Sequence, residues 1–142
     1  MRQRTLSSKA ELLRNLSLFR TCTAKELETA AQSVDEATLP AGAVLTREGR
    51  PGGECFVIRR GSASVRLNGE TIAVVGPGDV VGEMALLDGA LRAATVTADT
   101  ALDVVVMTRQ GLDRLLIETP VARTMLQALA QRLRETTSVP SW

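Results

Sequence analysis

Gly82, Glu83 and Arg92 are the residues of this chain whose types and spacing can do chemistry together. Gly82 follows the strand-like pair Val80-Val81. Without a Cβ it lets the backbone turn sharply and approach a ligand closely. Glu83 to Leu87 then reads as one short helical turn, whose first amides, that of Ala85 among them, lack partners inside the helix and can bind a phosphate. Asp88-Gly89 turns the chain. Arg92 offers a fork of donors that matches paired phosphate oxygens, and the small Ala93 and Ala94 leave their amides reachable beside it. Glu83 would repel a phosphate, so its natural partner is a neutral donor such as a sugar hydroxyl. An anion that also carries a sugar hydroxyl is a nucleotide. Each residue also has an ordinary alternative: a turn glycine, a carboxylate favoured at a helix N-terminus, and a surface arginine in an ion pair.

The surrounding sequence shows what must hold these groups. Leu12, Leu13, Leu16 and Phe19 fall on one face of a helical stretch over residues 9–33, in which Thr23-Ala24-Lys25-Glu26 has the spacing of a capping box. Leu39-Pro40-Ala41-Gly42 breaks that pattern. From 36 to 107 the texture is short β-rich segments punctuated by glycine. Ser62 to Leu67 alternates as a half-buried strand does, and Asn68-Gly69 is a two-residue hairpin signal leading into Thr71–Val75. Many short strands at even spacing indicate a mainly β fold, a double-stranded β-helix or jelly-roll barrel, flanked by N-terminal helices and two C-terminal helices. The helical period returns over 108–136: Thr108 can cap a helix carrying Leu112, Leu115 and Leu116, and Pro120 suits the start of the next, with Val121, Met125, Leu129 and Leu133 at helical spacing. The expected organisation is a basic N-terminal tail at 1–8, one domain over 9–137, and a C-terminal tail at 138–142. The apolar seam of the last helix is too short to fix an oligomeric state.

Composition excludes several classes. The 142 residues contain no His and only two Cys, so Ser-His-Asp hydrolysis and His-built metal sites, a cupin-type metalloenzyme included, are ruled out. No catalytic constellation is present and no enzyme is expected. A net charge of +1, no Tyr, and only Phe19, Phe56 and Trp142 as aromatics give neither a basic surface nor a stacking platform for nucleic acid. Reading DNA would require a helix-turn-helix beyond residue 142. No run is long and apolar enough to span a bilayer, and no signal core follows the basic start. Cys22 and Cys55 fit a reducing compartment, so the chain is expected in the cytoplasm, alone or as the cytoplasmic domain of a larger protein.

Taken jointly, these residues resemble the cyclic nucleotide-binding domain shared by regulatory subunits of cAMP-dependent kinase, cyclic-nucleotide-gated channels and bacterial cAMP receptor proteins. The family's phosphate-binding cassette runs Gly-Glu-x-Ala-Leu, a short loop, then Pro-Arg-x-Ala. Here it reads Gly82-Glu83-Met84-Ala85-Leu86 and Leu91-Arg92-Ala93-Ala94-Thr95-Val96. Pro40-Ala41-Gly42, Glu48-Gly49, Phe56-Val57-Ile58 and Gly61 to Val65 match the family upstream, so the resemblance covers roughly residues 10–135. It implies a sensor that signals by moving its C-terminal helices. Arg92 would pair with the cyclic phosphate and Glu83 would accept from the ribose 2′-hydroxyl. The cassette residues Gly82, Met84, Ala85, Ala93 and Ala94 would complete the cradle, and Val65 and Leu67 would line the base pocket. The family's lid over the base has Arg132, Arg134 and Trp142 as candidates here, with Leu133 able to pack there; for the two arginines the alternative is a solvated helix face.

Two positions depart from the family. Leu91 replaces the usual Pro, which loosens the loop without removing a ligand contact. Ala93 stands where members preferring cGMP tend to carry Thr, which leans the ligand toward cAMP, with cGMP as the alternative. The implied partners are the cyclic nucleotide and an effector domain or partner protein; no cofactor or metal is implied. The competing reading is a degenerate domain acting as a protein-interaction module, against which the retention of both Glu83 and Arg92 argues.

Overall fold

The computed structural model describes residues 6–137. They divide into two compact units, one helical, made of 6–32 with 113–137, and one β-rich, Ser33–Leu112.

The β unit is two four-stranded antiparallel sheets. Its strands are β1 (Asp35–Leu39), β2 (Val44–Thr46), β3 (Glu54–Arg60), β4 (Ala63–Leu67), β5 (Glu70–Val75), β6 (Val80–Val81), β7 (Thr95–Ala98) and β8 (Leu102–Thr108). One sheet has the order β1-β8-β3-β6 and the other β2-β7-β4-β5. Leu45, Phe56, Ile58, Ala63, Val81, Val96, Ala98, Leu102 and Val104 form one buried cluster drawn from both sheets. Each large side chain among them contributes about 1.5–3 kcal/mol through removal from water. The alternation expected of half-buried strands is clearest in β7, where Val96 and Ala98 are buried and Thr95 and Thr97 are partly exposed. β3 instead buries Cys55, Phe56, Val57 and Ile58 in succession, as a strand covered on both faces does. β4 and β5 are joined by Asn68 and Gly69, both at positive φ (52° and 82°), the backbone that a tight right-twisting hairpin requires.

One helix lies inside the β unit, α3 (Glu83–Asp88), between β6 and β7. The others are α1 (Leu6–Arg14), α2 (Ala24–Gln32), α4 (Arg109–Glu118) and α5 (Val121–Thr137), with a 3-10 turn at Ser17–Phe19. Helix α1 begins inside the stretch expected as a tail, and the helical stretch expected over 9–33 is interrupted. Leu16 is extended at φ −92° and ψ 133°, which ends the helical path after Asn15 and starts the short turn. α2 opens on the capping box: the Glu26 N–H donates to Thr23 Oγ1 at 3.2 Å and the Thr23 N–H to Glu26 Oε1 at 2.8 Å. At the start of α4 the Gly111 N–H donates to Thr108 Oγ1 at 3.1 Å. Ala10, Leu13, Leu16, Leu18, Phe19, Leu27, Ala30, Ala31, Leu115, Val121 and Met125 are buried apolar residues of the helical unit. Among the described residues no helix is long and apolar enough to cross a membrane.

Candidate functional site

Arg92 is 7% exposed although it is a cation. Its backbone is held on both sides by the loop between β2 and β3: the Arg92 N–H donates to Arg50 O at 2.8 Å, and Gly49 N–H donates to Arg92 O at 2.9 Å. The guanidinium reaches two carbonyls, Nη1 donating to Gly82 O at 2.8 Å and Nη2 to Glu54 O at 2.6 Å. Both acceptors are neutral. A desolvated cation held by neutral carbonyls is costly, so the place fits an incoming anion.

Glycine allows the guanidinium its position on two sides. A Cβ at Gly52 would fall on the Arg92 guanidinium, and Gly52 is not in the left-handed region, so the arginine alone accounts for the missing side chain. A Cβ at Gly82 would lie 2.5 Å from Arg92 Nη1 and 3.3 Å from Thr46 Cγ2. Gly82 is also left-handed, φ 85° and ψ 9°, and serves as the N-cap of α3. α3 ends on a second left-handed residue, Gly89 at φ 71°, whose N–H closes on Ala85 O.

Glu83, the first residue of α3, is 2% exposed. It and Arg92 both act on the buried thiol of Cys55. Burial first and then the Glu83 carboxylate push that thiol up, Arg92 opposes them, and Glu54 adds a smaller upward push, which together bring it to about 12. The carboxylate and the guanidinium are thus gathered around one point of the β unit. Ala85 is buried, whereas the Met84 side chain is 51% exposed. Ala93 and Ala94 lie in the bend between Arg92 and β7, and Ala94 O accepts from Thr46 Oγ1 at 2.9 Å. Val65 packs against the cluster between the sheets, and Leu67 stands at the exposed end of β4. The β4–β5 register shifts between Val65 and Arg66, so alternation is disturbed between these two residues. Arg132 and Arg134 belong to α5, in the helical unit. Trp142 lies outside the described residues.

Several groups that shape the site carry no chemical motif. Gly52, the carbonyls of Arg50 and Glu54, and the Thr46 hydroxyl hold Arg92 and its flank. Of these only the pair Gly52-Gly53 leaves a trace in the sequence, because a carbonyl acceptor is the same whatever the residue type. No group of three or more metal-ligating side chains exists among the described residues.

A two-sheet β unit with a buried arginine beside a glycine-capped helical turn belongs to the class of small-ligand-binding β domains. The profile of the cyclic nucleotide-binding domain matches residues 36–119, and the chain belongs to that family. The regulatory subunit of cAMP-dependent protein kinase from Emericella nidulans is 37% identical over 98 residues, 66% of this chain and 24% of that protein. The regulatory domain of Toxoplasma gondii PKA, solved with cAMP, superposes with a TM-score of 0.69 at 29% identity over 96% of this chain and 54% of that one. A cAMP-binding acyltransferase from Mycobacterium smegmatis gives a TM-score of 0.78 at 28% identity over 92% of this chain and 42% of that one. The chain therefore spans about a quarter to half of the length of these three proteins.

Proposed function

We propose that this domain is a cAMP sensor, in which residues 82–94 form the phosphate-binding cassette of a jelly-roll barrel. The observation that carries the reading is the buried Arg92 guanidinium, held among the described residues by hydrogen bonds to the neutral Gly82 and Glu54 carbonyls. A cyclic phosphate would bring negative charge to the guanidinium and take up the bidentate geometry of the fork. Glu83 would accept from the ribose 2′-hydroxyl, and the backbone of Gly82, Met84, Ala85, Ala93 and Ala94 would frame the phosphate. With its side chain half exposed, Met84 would contribute only through its backbone. Val65 and Leu67 would contact the base, with Arg132 or Arg134 closing over it. Ala93 has no hydroxyl to offer the guanine amino group, which favours adenine. The related proteins are a regulatory subunit of cAMP-dependent protein kinase and a cAMP-binding acyltransferase, which supports a regulatory role whose output lies in an attached or partner protein.

Ligand shifts a conformational equilibrium only through different affinities for the two states. On this reading, cAMP binds better when the cassette and the C-terminal helices have repacked, and residues 108–136 carry the signal. Calorimetric titration with cAMP and cGMP is the test. Saturable binding with cAMP tighter than cGMP is expected. No binding of either nucleotide, or backbone chemical shifts of α4 and α5 unchanged at saturation, would refute the sensor.

A further inference from the structure

The six-residue helix α3 leaves carbonyls without partners inside the helix. One of them, Ala85 O, is closed by the N–H of Gly89. Another, Leu86 O, accepts from Nη2 of Arg109 at 2.9 Å. A cation at the carbonyl end of a helix is also favoured by the helix dipole. Arg109 is the first residue of α4 and directly follows the last residue of β8. That corner is fixed twice: Thr108 Oγ1 accepts from the Gly111 N–H, and a Cβ at Gly111 would run into Ser33 O. One side chain thus reaches from the end of the sheet frame to the carbonyl end of the turn that Gly82 and Glu83 begin.

We infer that Arg109 is a positioning residue, tying the setting of α3 to the first turn of α4. The inference rests on the reading of residues 82–94 as the ligand site and names the first link by which that site would reach the C-terminal helices. A displacement of α3 by about an ångström takes a 2.9 Å bond beyond hydrogen-bonding distance. The cassette turn therefore cannot move without either breaking this bond or drawing Arg109 with it. In both cases the first turn of α4 registers the event. A guanidinium suits the role because its planar fork holds direction where an ammonium acts as a point charge.

The test is backbone NMR with native-state hydrogen exchange on the full chain, comparing the parent with Arg109→Gln and Arg109→Lys. Without nucleotide, the amides of 87–89 should exchange about tenfold faster in Arg109→Gln, the effect of one charge-assisted hydrogen bond, while β3 and β8 amides stay at parental rates. Arg109→Lys should restore part of the protection, and it carries the comparison if Arg109→Gln does not fold. Unchanged exchange in 87–89, or faster exchange throughout the sheets, overturns the tie. On adding cAMP, the parent should shift the cassette amides of Gly82 and Ala85 together with those of Gly111 and Leu112, and Arg109→Gln should shift the cassette amides alone. Equal shifts at Gly111 and Leu112 in both proteins, or none there in a parent whose cassette responds, overturn it as well. A parent in which cAMP moves no cassette amide refutes the ligand assignment instead, and the exchange rates then decide the tie by themselves.

Discussion

Replacing Gly52 by alanine should disable the nucleotide site by displacing a residue forty positions away. The new Cβ would occupy the place of the Arg92 guanidinium. The arginine is the end of a flexible side chain, so it would move, losing its aim and its bonds to Gly82 O and Glu54 O. Gly52 has no left-handed φ, so alanine adds no backbone strain. Removing glycine from a compatible loop position stabilises by about 0.4–1 kcal/mol through the unfolded state, which offsets part of the lost bonding and leaves the unfolding free energy near the parent's. Binding has no such compensation. Truncating one member of a buried charge pair costs about 2–5 kcal/mol, so Arg92→Ala should weaken cAMP binding by roughly 30- to several-thousand-fold. Misplacing the fork removes about 1.5–3 kcal/mol of charge-assisted bonding, so Gly52→Ala should weaken it by roughly 10- to 150-fold. The assay is a double-mutant cycle read by calorimetric titration, in which contacting residues show coupling. In the Arg92→Ala background Gly52→Ala should cost no further affinity. An additive loss in that background, or parental affinity in Gly52→Ala alone, would refute the argument that this glycine exists for the arginine.

Other expectations test separate parts of the molecule. Glu83→Ala should weaken cAMP by about 1.5–3 kcal/mol, and the variant should no longer distinguish cAMP from its 2′-deoxy analogue; continued discrimination would remove Glu83 from the ribose. Cys55, pushed from 9.0 to about 12 in the folded chain, binds its proton more tightly folded than unfolded. Its contribution is therefore complete below pH 9 and falls as pH rises from 9 towards 12, by about 1.4 kcal/mol per pH unit. Urea unfolding at pH 8 and pH 10 should show this loss in the parent and not in Cys55→Ala, and parallel slopes would show that the thiol is not desolvated. Thr23→Ala removes one half of the α2 capping box and should cost about 1 kcal/mol in thermal or urea unfolding, with nucleotide affinity unchanged.

What the sequence displays is local chemistry. The Asn68-Gly69 hairpin, the Thr23–Glu26 box, the Thr108 cap and the turn after Gly82 all act within four residues of themselves, and each is found where residue type places it. The helix break at Leu16 was hidden because an apolar residue at helical spacing looks the same in an extended gap as inside a helix. Sheet membership was hidden for a different reason. β1 pairs with β8 across more than sixty residues, and apolar alternation says which face of a strand is inward without naming the strand beside it. β5 shows the limit plainly: Ile72 and Val74 have the composition of a covered strand, yet they lie exposed on the edge of their sheet.

The site divides along the same line, and the division says what kind of constraint it places on the chain. Glu83 and Arg92 carry chemistry that can be recognised by type. The acceptors that hold Arg92 are carbonyls, which every residue has, and the features that make room for it are two absent side chains, at Gly52 and Gly82. An aspartate or glutamate against the guanidinium would satisfy the buried charge internally. Carbonyls orient the fork without themselves adding a charge to it, so the buried cation stays able to pair with an anion. Binding of that anion should appear as stabilisation, growing as RT ln(1 + [L]/Kd) for a ligand that binds only the folded chain. On the proposed reading, the cost of holding Arg92 between two glycines and two carbonyls is offset when the anion binds, which would make the site responsive to its ligand as well as able to hold it.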